Sequence, residues 1–466
     1  MSFNSAEFLF FFPLVMLAYT VAFHRERWRE VVLLVASYVF YMSWNWKYAG
    51  LLLLSTVVDY TVGRLLVQEA RPWAKKRILI ISLCSNLGLL GVFKYYNFFV
   101  DLAVPAVTMF GVDLSFLRHE LLLPVGISFY TFQTMSYTID LYRGEPVLEK
   151  DFLKFAVFVA FFPQLVAGPI VRARDFLPQL RRTPPVTQER VWEGSALVFR
   201  GLFKKVVLAD LLGVLAVDKV FANPSAFSSW DLLIALYGYT FQIYNDFSGY
   251  SDIAIGLARI MGFELPQNFN RPYVAQSVRE FWSRWHISLS TWLRDYLYIS
   301  LGGNRVAPWR VRGNLLATML LGGLWHGAAL HFIAWGAYHG VLLTFGRGKP
   351  STAANGAWWS ALRRQVVCFH LVVFGWLLFR IQDLPHFLAY LKGLAGNGVG
   401  TQLHGVFYLV LGTAVGLHLI PKDRWYMLET QFLRLPVPVQ AGAYALLLVL
   451  LSGVTLEAPA FIYFQF

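Results

Sequence analysis

Long apolar stretches with almost no charge recur along the whole chain, and they constrain the fold more than any other feature. Hydrophobic residues make up 57% of the 466 residues and charged residues only 14%, whereas soluble domains are about 25% charged. So few charges cannot cover several soluble domains, which excludes a soluble enzyme, a fibrous protein and a disordered chain. The apolar stretches are residues 8–23, 31–46, 48–58, 78–93, 121–139, 155–171, 232–245, 313–346, 365–379, 403–420 and 439–456.

These stretches predict an all-α polytopic membrane protein. A spanning helix needs about 20 mostly apolar residues, so the pattern corresponds to about ten to twelve transmembrane or re-entrant helices. The first stretch has no basic n-region before it and no cleavage site of small residues after it. We therefore expect it to be a retained span and not a removed signal peptide.

Basic residues in the loops predict the orientation. The loops at 24–30 and 64–77 are rich in Lys and Arg and lie two spans apart, so both can face the cytoplasm. The aromatic segment at 43–48 between them suits the opposite interface, which places both termini on the outer side. The net charge of +13 is explained by such loops. Because no basic run is interleaved with aromatic residues on a soluble module, no nucleic-acid partner is expected.

Two apolar stretches do not fit straight spans. Residues 155–171 have basic residues on both flanks and contain prolines, which interrupt a helix. Residues 313–346 carry no charge over 34 residues, too few for two crossings and many for one, and Gly322-Gly323 and Gly327 can bend them. Irregular backbone at membrane depth needs shelter from protein or a water-filled cavity. We therefore expect recesses that form a central funnel or tunnel.

His326 is the strongest candidate for catalysis. It lies near the middle of the uncharged second stretch, and polar residues at membrane depth are costly and therefore candidates for function. A buried imidazole there is expected to be neutral and can accept a proton from a hydroxyl as a general base. The alternative is a structural role, in which His326 bonds to a neighbouring backbone carbonyl and Gly323 and Gly327 form a packing face. His331 and His339 do not share a helix face with His326, so no metal site is expected.

His286 is the second candidate. With 100° of rotation per residue, aromatic and leucine side chains share one helix face with His286, and charged residues occupy the other. This pattern predicts an amphipathic helix at the membrane interface, with Glu280 and Arg284 placed for an i,i+4 ion pair. The alternative is that His286 is one more interfacial ring whose polar edge reaches the headgroups. The predicted face consists of Trp282, Trp285, His286, Leu289, Trp292, Leu293 and Tyr296.

A third polar cluster interrupts the apolar run at 244–256. Its carboxylates, Asp246 and Asp252, suit proton relay, cation binding or a structural hydrogen-bond network. Cys84 and Cys368 lie in apolar stretches, so neither a disulfide nor a thiolate metal site is expected. Motifs of serine hydrolases, zinc proteases and nucleotide-binding proteins are absent from the sequence. A transporter without chemistry stays open, because broken spans and buried carboxylates suit it as well.

The two histidines stand in motifs that resemble those of a known family. RPYVAQSVREFWSRWHISLSTWLRDYLYISLGGNR followed by LLGGLWHGA, with the histidines forty residues apart, is similar to the membrane-bound O-acyltransferase (MBOAT) family. FKYYNFFVD, LPVGISFYTFQTMSYTIDLYRG, FFPQLVAGPIVR and DFSGYSDIAIGLARIMGF resemble its bacterial branch, which O-acetylates exopolysaccharides such as alginate. The resemblance implies one membrane domain over residues 1–466, with a catalytic part at about 120–346.

The resemblance also implies roles and partners. His326 corresponds to the catalytic histidine in an intramembrane tunnel, and His286 to the second histidine of the family. The implied reaction passes an acetyl group from a cytoplasmic acyl thioester, such as acetyl-CoA, across a bacterial inner membrane to an alginate- or cellulose-type polymer. It implies no permanently bound cofactor, no metal, and a periplasmic or membrane-anchored acetyltransferase as partner. Peptidoglycan acetylation and D-alanylation of teichoic acid are neighbouring alternatives.

Overall fold

The computed structural model describes residues 1–110, 115–182, 185–346, 358–396, 398 and 400–454. Across these ranges the backbone forms helices joined by turns and irregular segments, with no β-strand, so the predicted all-α polytopic membrane fold is confirmed. The first helices are α1 (Ala6–Ala22), α2 (Glu26–Asn45), α3 (Ala49–Gln68), α4 (Pro72–Leu90), α5 (Tyr96–Thr108), α6 (Ile127–Tyr142), α7 (Phe152–Ala160), α8 (Phe162–Leu165), α9 (Ala173–Arg182) and α10 (Gln188–Leu202). They are followed by α11 (Asp218–Ala222), α12 (Ser229–Ile260), α13 (Val278–Arg284), α14 (Ile287–Trp292), α15 (Pro308–His326), α16 (Leu330–Phe345), α17 (Trp358–Arg380), α18 (Leu384–Gly396), α19 (Gly405–Leu419), α20 (Lys422–Leu433) and α21 (Val437–Val454).

Only part of the predicted spans are single long helices. Among the described residues, the helical stretches Glu26–Gln68, Pro72–Pro105 and Trp358–Arg380 are long and apolar enough to cross a bilayer. A fourth results if the bent pair Gly405–Leu419 and Asp423–Phe432 counts as one span. Several other predicted segments are divided into shorter helices, because prolines, glycines and π-helical turns interrupt them.

Helix α1 shows how apolar surface is divided between protein and lipid. Phe8, Phe11 and Tyr19 are buried at helical spacing along one face. Phe10 and Val21 on the remaining surface are 76% and 79% exposed. Apolar residues in such numbers on both faces of a helix are stable only where lipid replaces water. The exposed surface of the chain, like its composition, is therefore that of a membrane protein.

The chain divides into two compact units, Met1–Val191 with Leu257–Pro266, and Trp192–Gly256 with Gln267–Phe466. In the first unit the predicted interruption of 155–171 is confirmed. Helix α7 ends at Ala160, the next residue, Phe161, leaves the helical conformation with φ −51° and ψ 108°, and α8 is a single turn that contains Pro163. The whole segment is buried inside this unit, and its re-entry into a bilayer stays a prediction.

A buried polar cluster joins α3, α4 and α6 in the first unit. Asp59, at 0% exposure, accepts hydrogen bonds from Ser82 Oγ at 2.5 Å and from Asn86 Nδ2 at 2.8 Å. Ser55 and Thr134 donate in turn to Asn86 Oδ1 at 3.1 and 3.2 Å. Each of these side chains has a partner inside the protein, as buried polar groups require. The cluster therefore connects three helices that hydrophobic contact alone would leave free to slide in lipid.

Glycines bring α10 and α12 into backbone contact in the second unit. A Cβ on Gly201 would lie 2.5 Å from the carbonyl oxygen of Gly249, and a Cβ on Gly256 would lie 2.5 Å from that of Gly194. Such close crossings need small residues on both helices. The approach places the basic residues that follow α10 beside the carboxylates of α12.

Residues 313–346 form most of a helical hairpin. A Cβ on Gly323 would lie 2.2 Å from the carbonyl oxygen of Phe332, so the backbones of α15 and α16 touch. Gly327 also packs on Phe332, so the glycine packing face named in the structural alternative is present. The chain turns at Gly327, as expected. The additional bend expected at Gly322-Gly323 is wrong, because α15 continues through both glycines and uses the second for contact.

The continuous amphipathic helix predicted around His286 is also wrong. Helix α13 ends at Arg284, His286 adopts left-handed backbone angles (φ 42°, ψ 55°), and α14 begins at Ile287. This conformation is costly for a residue with a Cβ and persists only where other contacts impose it. The predicted ion pair between Glu280 and Arg284 is confirmed, with 2.7 Å between Oε1 and Nη2.

Candidate active site

His326 is the last residue of α15 and lines a cavity of about 440 Å³ in the second unit. This volume is within the roughly 300–1,000 Å³ of small-molecule sites. Thr318, Gly322 and His326 follow one another at intervals of four residues, so one face of α15 forms the floor. The His326 cavity is lined by Arg279, Trp282, Ser283, Ile287, Leu289, Ser290, Thr291, Leu293, Arg294, Tyr298, Asn304, Leu315, Thr318, Met319, Gly322, His326, Trp335 and Leu343.

Aromatic rings fix the imidazole of His326. The centroid of its ring lies 5.1 Å from that of Trp325, 5.2 Å from Trp335 and 5.4 Å from Phe379, with interplanar angles between 79° and 90°. Edge-to-face contacts of this kind are favourable and leave the ring little freedom to rotate. The residue is 5% exposed. A fixed and nearly dehydrated imidazole is a suitable geometry for general-base catalysis.

Two indole N–H groups belong to the wall of the same cavity. Trp282 and Trp335 both line it, and Trp335 is only 1% exposed. Neither indole nitrogen has a hydrogen-bond partner among the described residues. Buried donors without a partner are rare in proteins, and donors at a reaction centre stabilise the negative charge that develops on a carbonyl oxygen. The wall therefore offers hydrogen-bond donors near His326.

Arginines stand at the exposed end of the cavity. Arg279 and Arg294 are both exposed, and Arg279 makes no ion pair in the part of the chain that the structure describes. Arg294 Nε donates to Asp295 Oδ1 at 2.7 Å, which raises the pKa of the guanidinium and keeps it charged. The described residues that line the cavity include no carboxylate. An anionic ligand is therefore favoured at the rim, above a mostly apolar interior.

His286 lies behind this cavity and not on its wall. It is 0% exposed, and its ring centroid lies 4.6 Å from that of Phe247 and 5.9 Å from that of Trp325. The alternative in which its polar edge reaches the headgroups is therefore wrong. Trp325 contacts the rings of both histidines, so it connects His286 to His326.

Asn268 holds the left-handed turn at His286. Its Oδ1 lies 3.2 Å from His286 Nδ1 and accepts hydrogen bonds from Ser288 N at 3.2 Å and Ser288 Oγ at 2.9 Å. The backbone oxygen of Asn268 accepts a fourth from Ile287 N at 2.9 Å. These bonds satisfy donors that a continuous helix would have paired internally. They are the physical reason why the predicted helix is divided at this point.

The two carboxylates of the third polar cluster form ion pairs with different basic side chains. Asp246 Oδ1 lies 2.6 Å from Lys205 Nζ. Asp252 pairs instead with Arg200 at 3.0 Å and with Lys204 at 2.7 Å. Because each carboxylate has its own basic partner, the arrangement favours the structural network over proton relay or cation binding.

The other two histidines of the hairpin lie away from His326. His339 is completely buried and packs against Trp282 and Trp335, at centroid distances of 5.2 and 5.0 Å. His331 packs against Phe332 at 4.0 Å. In the described ranges, no group of three His, Cys, Asp or Glu side chains could hold a metal ion.

Sequence reasoning did not single out Asn268, Trp335 or Arg279. Trp335 follows His326 by nine residues along the chain. The predicted bend at Gly327 was the available signal, because a hairpin turn there brings the following helix, and Trp335 with it, back towards the histidine. Arg279 precedes Trp282 by three residues and therefore shares its helix face. Asn268 had no such signal, because its contacts lie 18 to 20 residues away along the chain.

Comparison with known proteins gives the family of this chain. A model of the membrane-bound O-acyltransferase family matches residues 40–349, which include both histidines and every residue of the His326 cavity. The chain belongs to the membrane-bound O-acyltransferase family. This MBOAT chain is accordingly an O-acyltransferase, which decides against the transporter alternative.

Named relatives narrow the comparison. The MBOAT chain is 46% identical over 392 residues to a probable alginate O-acetylase of Pseudomonas aeruginosa, covering 82% of this chain and 73% of that protein. It is 37% identical over 434 residues to a peptidoglycan O-acetyltransferase of Helicobacter pylori, covering 85% and 80%. It is 29% identical over 292 residues to a teichoic acid D-alanyltransferase of Bacillus subtilis, covering 58% and 71%. Of these three relatives, the two named for acetyl transfer are more similar to this chain than the D-alanyltransferase is.

Proposed function

We propose that this chain passes an acetyl group from a cytoplasmic acyl thioester across a bacterial inner membrane for O-acetylation of an exopolysaccharide. The observation that carries the proposal is the place of His326, a buried imidazole on the wall of a cavity with a cationic rim. Similarity to probable alginate O-acetylases at 46% and 45% identity supports the acetyl group and a polymer of alginate type.

The proposed donor is acetyl-CoA, or another acyl thioester with an anionic carrier. In this arrangement Arg279 and Arg294 bind its phosphates at the exposed end of the cavity. A guanidinium group suits this role because it can donate two parallel hydrogen bonds to the oxygens of one phosphate. The pantetheine arm lies along the apolar wall formed by residues such as Leu289 and Met319. The thioester then reaches His326 at the buried end. No cofactor needs to stay bound between reaction cycles.

The proposed reaction uses His326 as the general base. The acceptor hydroxyl loses its proton to the imidazole while its oxygen attacks the thioester carbonyl carbon. The indole N–H of Trp335 donates to the carbonyl oxygen as negative charge develops on it. The carbon–sulfur bond then breaks, and the imidazolium returns the proton to the departing thiolate. The products are an O-acetyl ester and the free thiol.

His286 acts through its neighbours in this proposal. It does not line the His326 cavity, but its ring contacts Trp325, which in turn contacts the His326 ring. Its left-handed turn also begins α14, whose residues Ile287 and Leu289 line the cavity. We therefore assign His286 as a positioning residue, which holds the aromatic frame around the base.

The proposed partners and cellular location follow from the same function. A periplasmic or membrane-anchored acetyltransferase receives or places the acetyl group, and both chain termini lie on the periplasmic side. The basic loops at 24–30 and 64–77 support this orientation. The bilayer itself covers the exposed apolar faces of helices such as α1.

His326→Ala tests the proposal. The change removes the base and is expected to lower acyl transfer by about 10²–10⁴-fold, the usual contribution of general acid–base catalysis. The measurements are mass spectrometry of the secreted polymer and turnover of acetyl-CoA by the purified enzyme. His331→Ala, a half-buried histidine of the same hairpin outside the cavity, is the matched control. Unchanged polymer acetylation in cells that carry His326→Ala would show that His326 is not the general base.

The same mass spectra identify the substrate. Acetate on an alginate- or cellulose-type polymer is the expected result. Acetate on peptidoglycan, or D-alanine on teichoic acid, would transfer the function to the neighbouring alternatives while leaving the role of His326 intact.

A further inference from the structure

A second cavity in the second unit, of about 420 Å³, has no role in the proposed chemistry. Its wall is formed by residues between 200 and 271 and between 414 and 425, and we call it the His418 cavity. Asn268 belongs to this wall, whereas Ile287 and Leu289, just after the turn that Asn268 holds, line the His326 cavity. The two cavities therefore share one structural element, the turn at His286.

Two buried polar atoms on the wall of the His418 cavity have no hydrogen-bond partner in the part of the chain that the structure describes. Tyr273 N–H donates to His418 Nε2 at 3.2 Å, so the proton of the neutral imidazole is on Nδ1. That Nδ1, like Ser248 Oγ, has no hydrogen-bond partner among the described residues. His418 and Ser248 are 5% and 2% exposed. Buried donors of this kind destabilise the free protein, and a ligand with hydrogen-bonding groups removes the penalty.

The charged groups of this cavity are already engaged. Arg200 and Lys204 both pair with Asp252, at 3.0 and 2.7 Å. Arg271 donates to two backbone carbonyls at the end of α19. The lining has three basic and two acidic side chains, Asp423 being the second carboxylate. A polyphosphate such as coenzyme A is therefore disfavoured, whereas a ligand with few, spaced negative charges is accommodated.

The rest of the lining combines flat rings with neutral hydrogen-bonding groups. Tyr244, Phe269 and Trp425 supply aromatic faces, and Asn245 and Asn270 supply amides. A sugar ring presents apolar C–H faces, which pack on aromatic rings, and hydroxyls, which both donate and accept hydrogen bonds like these amides. Neither a lipid chain nor a nucleotide matches this combination as well.

Backbone strain coincides with the same region. Among the described residues, the non-glycine residues with positive φ are Arg271 and His286, at 47° and 42°. Arg271 lines the His418 cavity, and His286 forms the turn next to both cavities. Strained backbone is retained where function requires the geometry more often than elsewhere.

We infer that the His418 cavity binds a saccharide segment, and that a saccharide with carboxylate groups is preferred over a neutral one. Its hydroxyls hydrogen-bond to His418 Nδ1 and Ser248 Oγ, and its ring faces pack on Trp425 and Tyr244. The inference rests on the proposed function for the saccharide nature of the polymer that is finally acetylated, and it adds a place on this chain where that polymer is recognised. Binding without transfer therefore tests it separately from catalysis.

The experiment measures binding to the full-length protein in lipid nanodiscs by isothermal titration calorimetry. The probes are a tetramer of mannuronic acid, cellotetraose and coenzyme A. Ser248→Ala is expected to weaken binding of the mannuronate tetramer by about 3–10-fold, the value of one hydrogen bond. The same change should leave coenzyme A binding unaltered and preserve or raise the melting temperature, because it removes an unpaired buried hydroxyl.

Thr131→Val is the matched control. Thr131 Oγ1 is also buried, at 1% exposure, and has no partner among the described residues, but it lies in the first unit outside both cavities. The control should share the effect on melting temperature and leave saccharide binding unchanged.

Three outcomes would overturn the inference. They are no binding of either tetrasaccharide to the wild type, equal saccharide binding by Ser248→Ala and wild type, and weaker coenzyme A binding in Ser248→Ala. Tighter binding of cellotetraose than of the mannuronate tetramer would overturn the stated charge preference. Failure of the proposed function is distinguishable, because it appears as transfer by His326→Ala, whereas this variant should still bind the saccharide normally.

Discussion

The His326 cavity and the His418 cavity have nearly the same volume, about 440 and 420 Å³, but differ in the state of their charged groups. The rim of the first has an arginine, Arg279, without an ion pair among the described residues, and no carboxylate lines it. The cations of the second are held by Asp252 or by backbone carbonyls. Size therefore does not distinguish the two sites, whereas uncompensated charge does. A polyphosphate is attracted to the first, and a polyhydroxylated ligand with few, spaced negative charges to the second.

The two cavities also differ in the hydrogen-bonding groups that have no partner among the described residues. In the His326 cavity the indole donors of Trp282 and Trp335 have no partner among the described residues, and the Trp335 ring packs edge-to-face on His326. In the His418 cavity the corresponding groups are a hydroxyl and an imidazole among several amides. Rigid donors around one point suit the stabilisation of a reacting oxygen, and dispersed polar groups suit recognition of an extended ligand.

Trp335→Phe gives the largest expected effect on this contrast. The change keeps an aromatic ring against His326 but removes the indole N–H. We expect kcat for acetyl transfer to fall by about 100-fold, as for loss of an oxyanion donor, with KM for acetyl-CoA nearly unchanged. Steady-state kinetics measure both values. Trp309→Phe, an exposed tryptophan at the start of α15, is the control. A rise in KM with unaltered kcat would show that Trp335 only binds substrate.

Gly323→Val separates the two cavities by packing. A Cβ at this position lies 2.2 Å from the carbonyl oxygen of Phe332, so the hairpin must open. The expected cost is about 1–3 kcal/mol of unfolding free energy, typical of overpacking. Thermal unfolding in nanodiscs measures it, together with binding of coenzyme A and of the mannuronate tetramer. Gly313→Val has open space around the added side chain and serves as control. Gly323→Val should weaken the binding of coenzyme A and leave the binding of the mannuronate tetramer unchanged. Equal weakening of both would contradict the assignment of the two ligands to separate cavities.

Arg279→Ala has the smallest expected effect. It removes the rim guanidinium and should raise KM for acetyl-CoA about tenfold, within the range for a charge-assisted hydrogen bond, with kcat maintained. The increase should shrink at high salt, because the arginine is exposed and screened. Arg310→Ala, an exposed arginine of α15 outside the cavity, is the control. Weaker saccharide binding in Arg279→Ala would show that the cavities do not divide donor and saccharide as described.

Much of the fold was accessible from local sequence pattern. The uncharged stretches predicted an all-α membrane protein, and prolines and glycines predicted the interruptions at 155–171 and Gly327. The spacing of Glu280 and Arg284 predicted their ion pair. Each of these features depends on residues within one or two helical turns, so periodicity and breaker residues report them directly.

The site was only partly accessible in the same way. Sequence pattern and family motifs pointed to His326 and His286, but periodicity placed His286 in a continuous helix. Four hydrogen bonds to Asn268, 18 to 20 residues upstream, outweigh that local preference and impose the left-handed turn. Helical propensity per residue is small compared with several buried hydrogen bonds, so tertiary contacts win where the two disagree.

The sequence alone determined that this chain is a helical membrane protein with two histidines in acyltransferase motifs, because hydropathy and short motifs are local properties. Only the tertiary structure decided what surrounds those histidines. The hairpin contact at Gly323 brings Trp335 to His326, and the turn held by Asn268 separates two cavities of different charge. Cavities form where residues distant along the chain pack incompletely, and no local pattern encodes which residues those are.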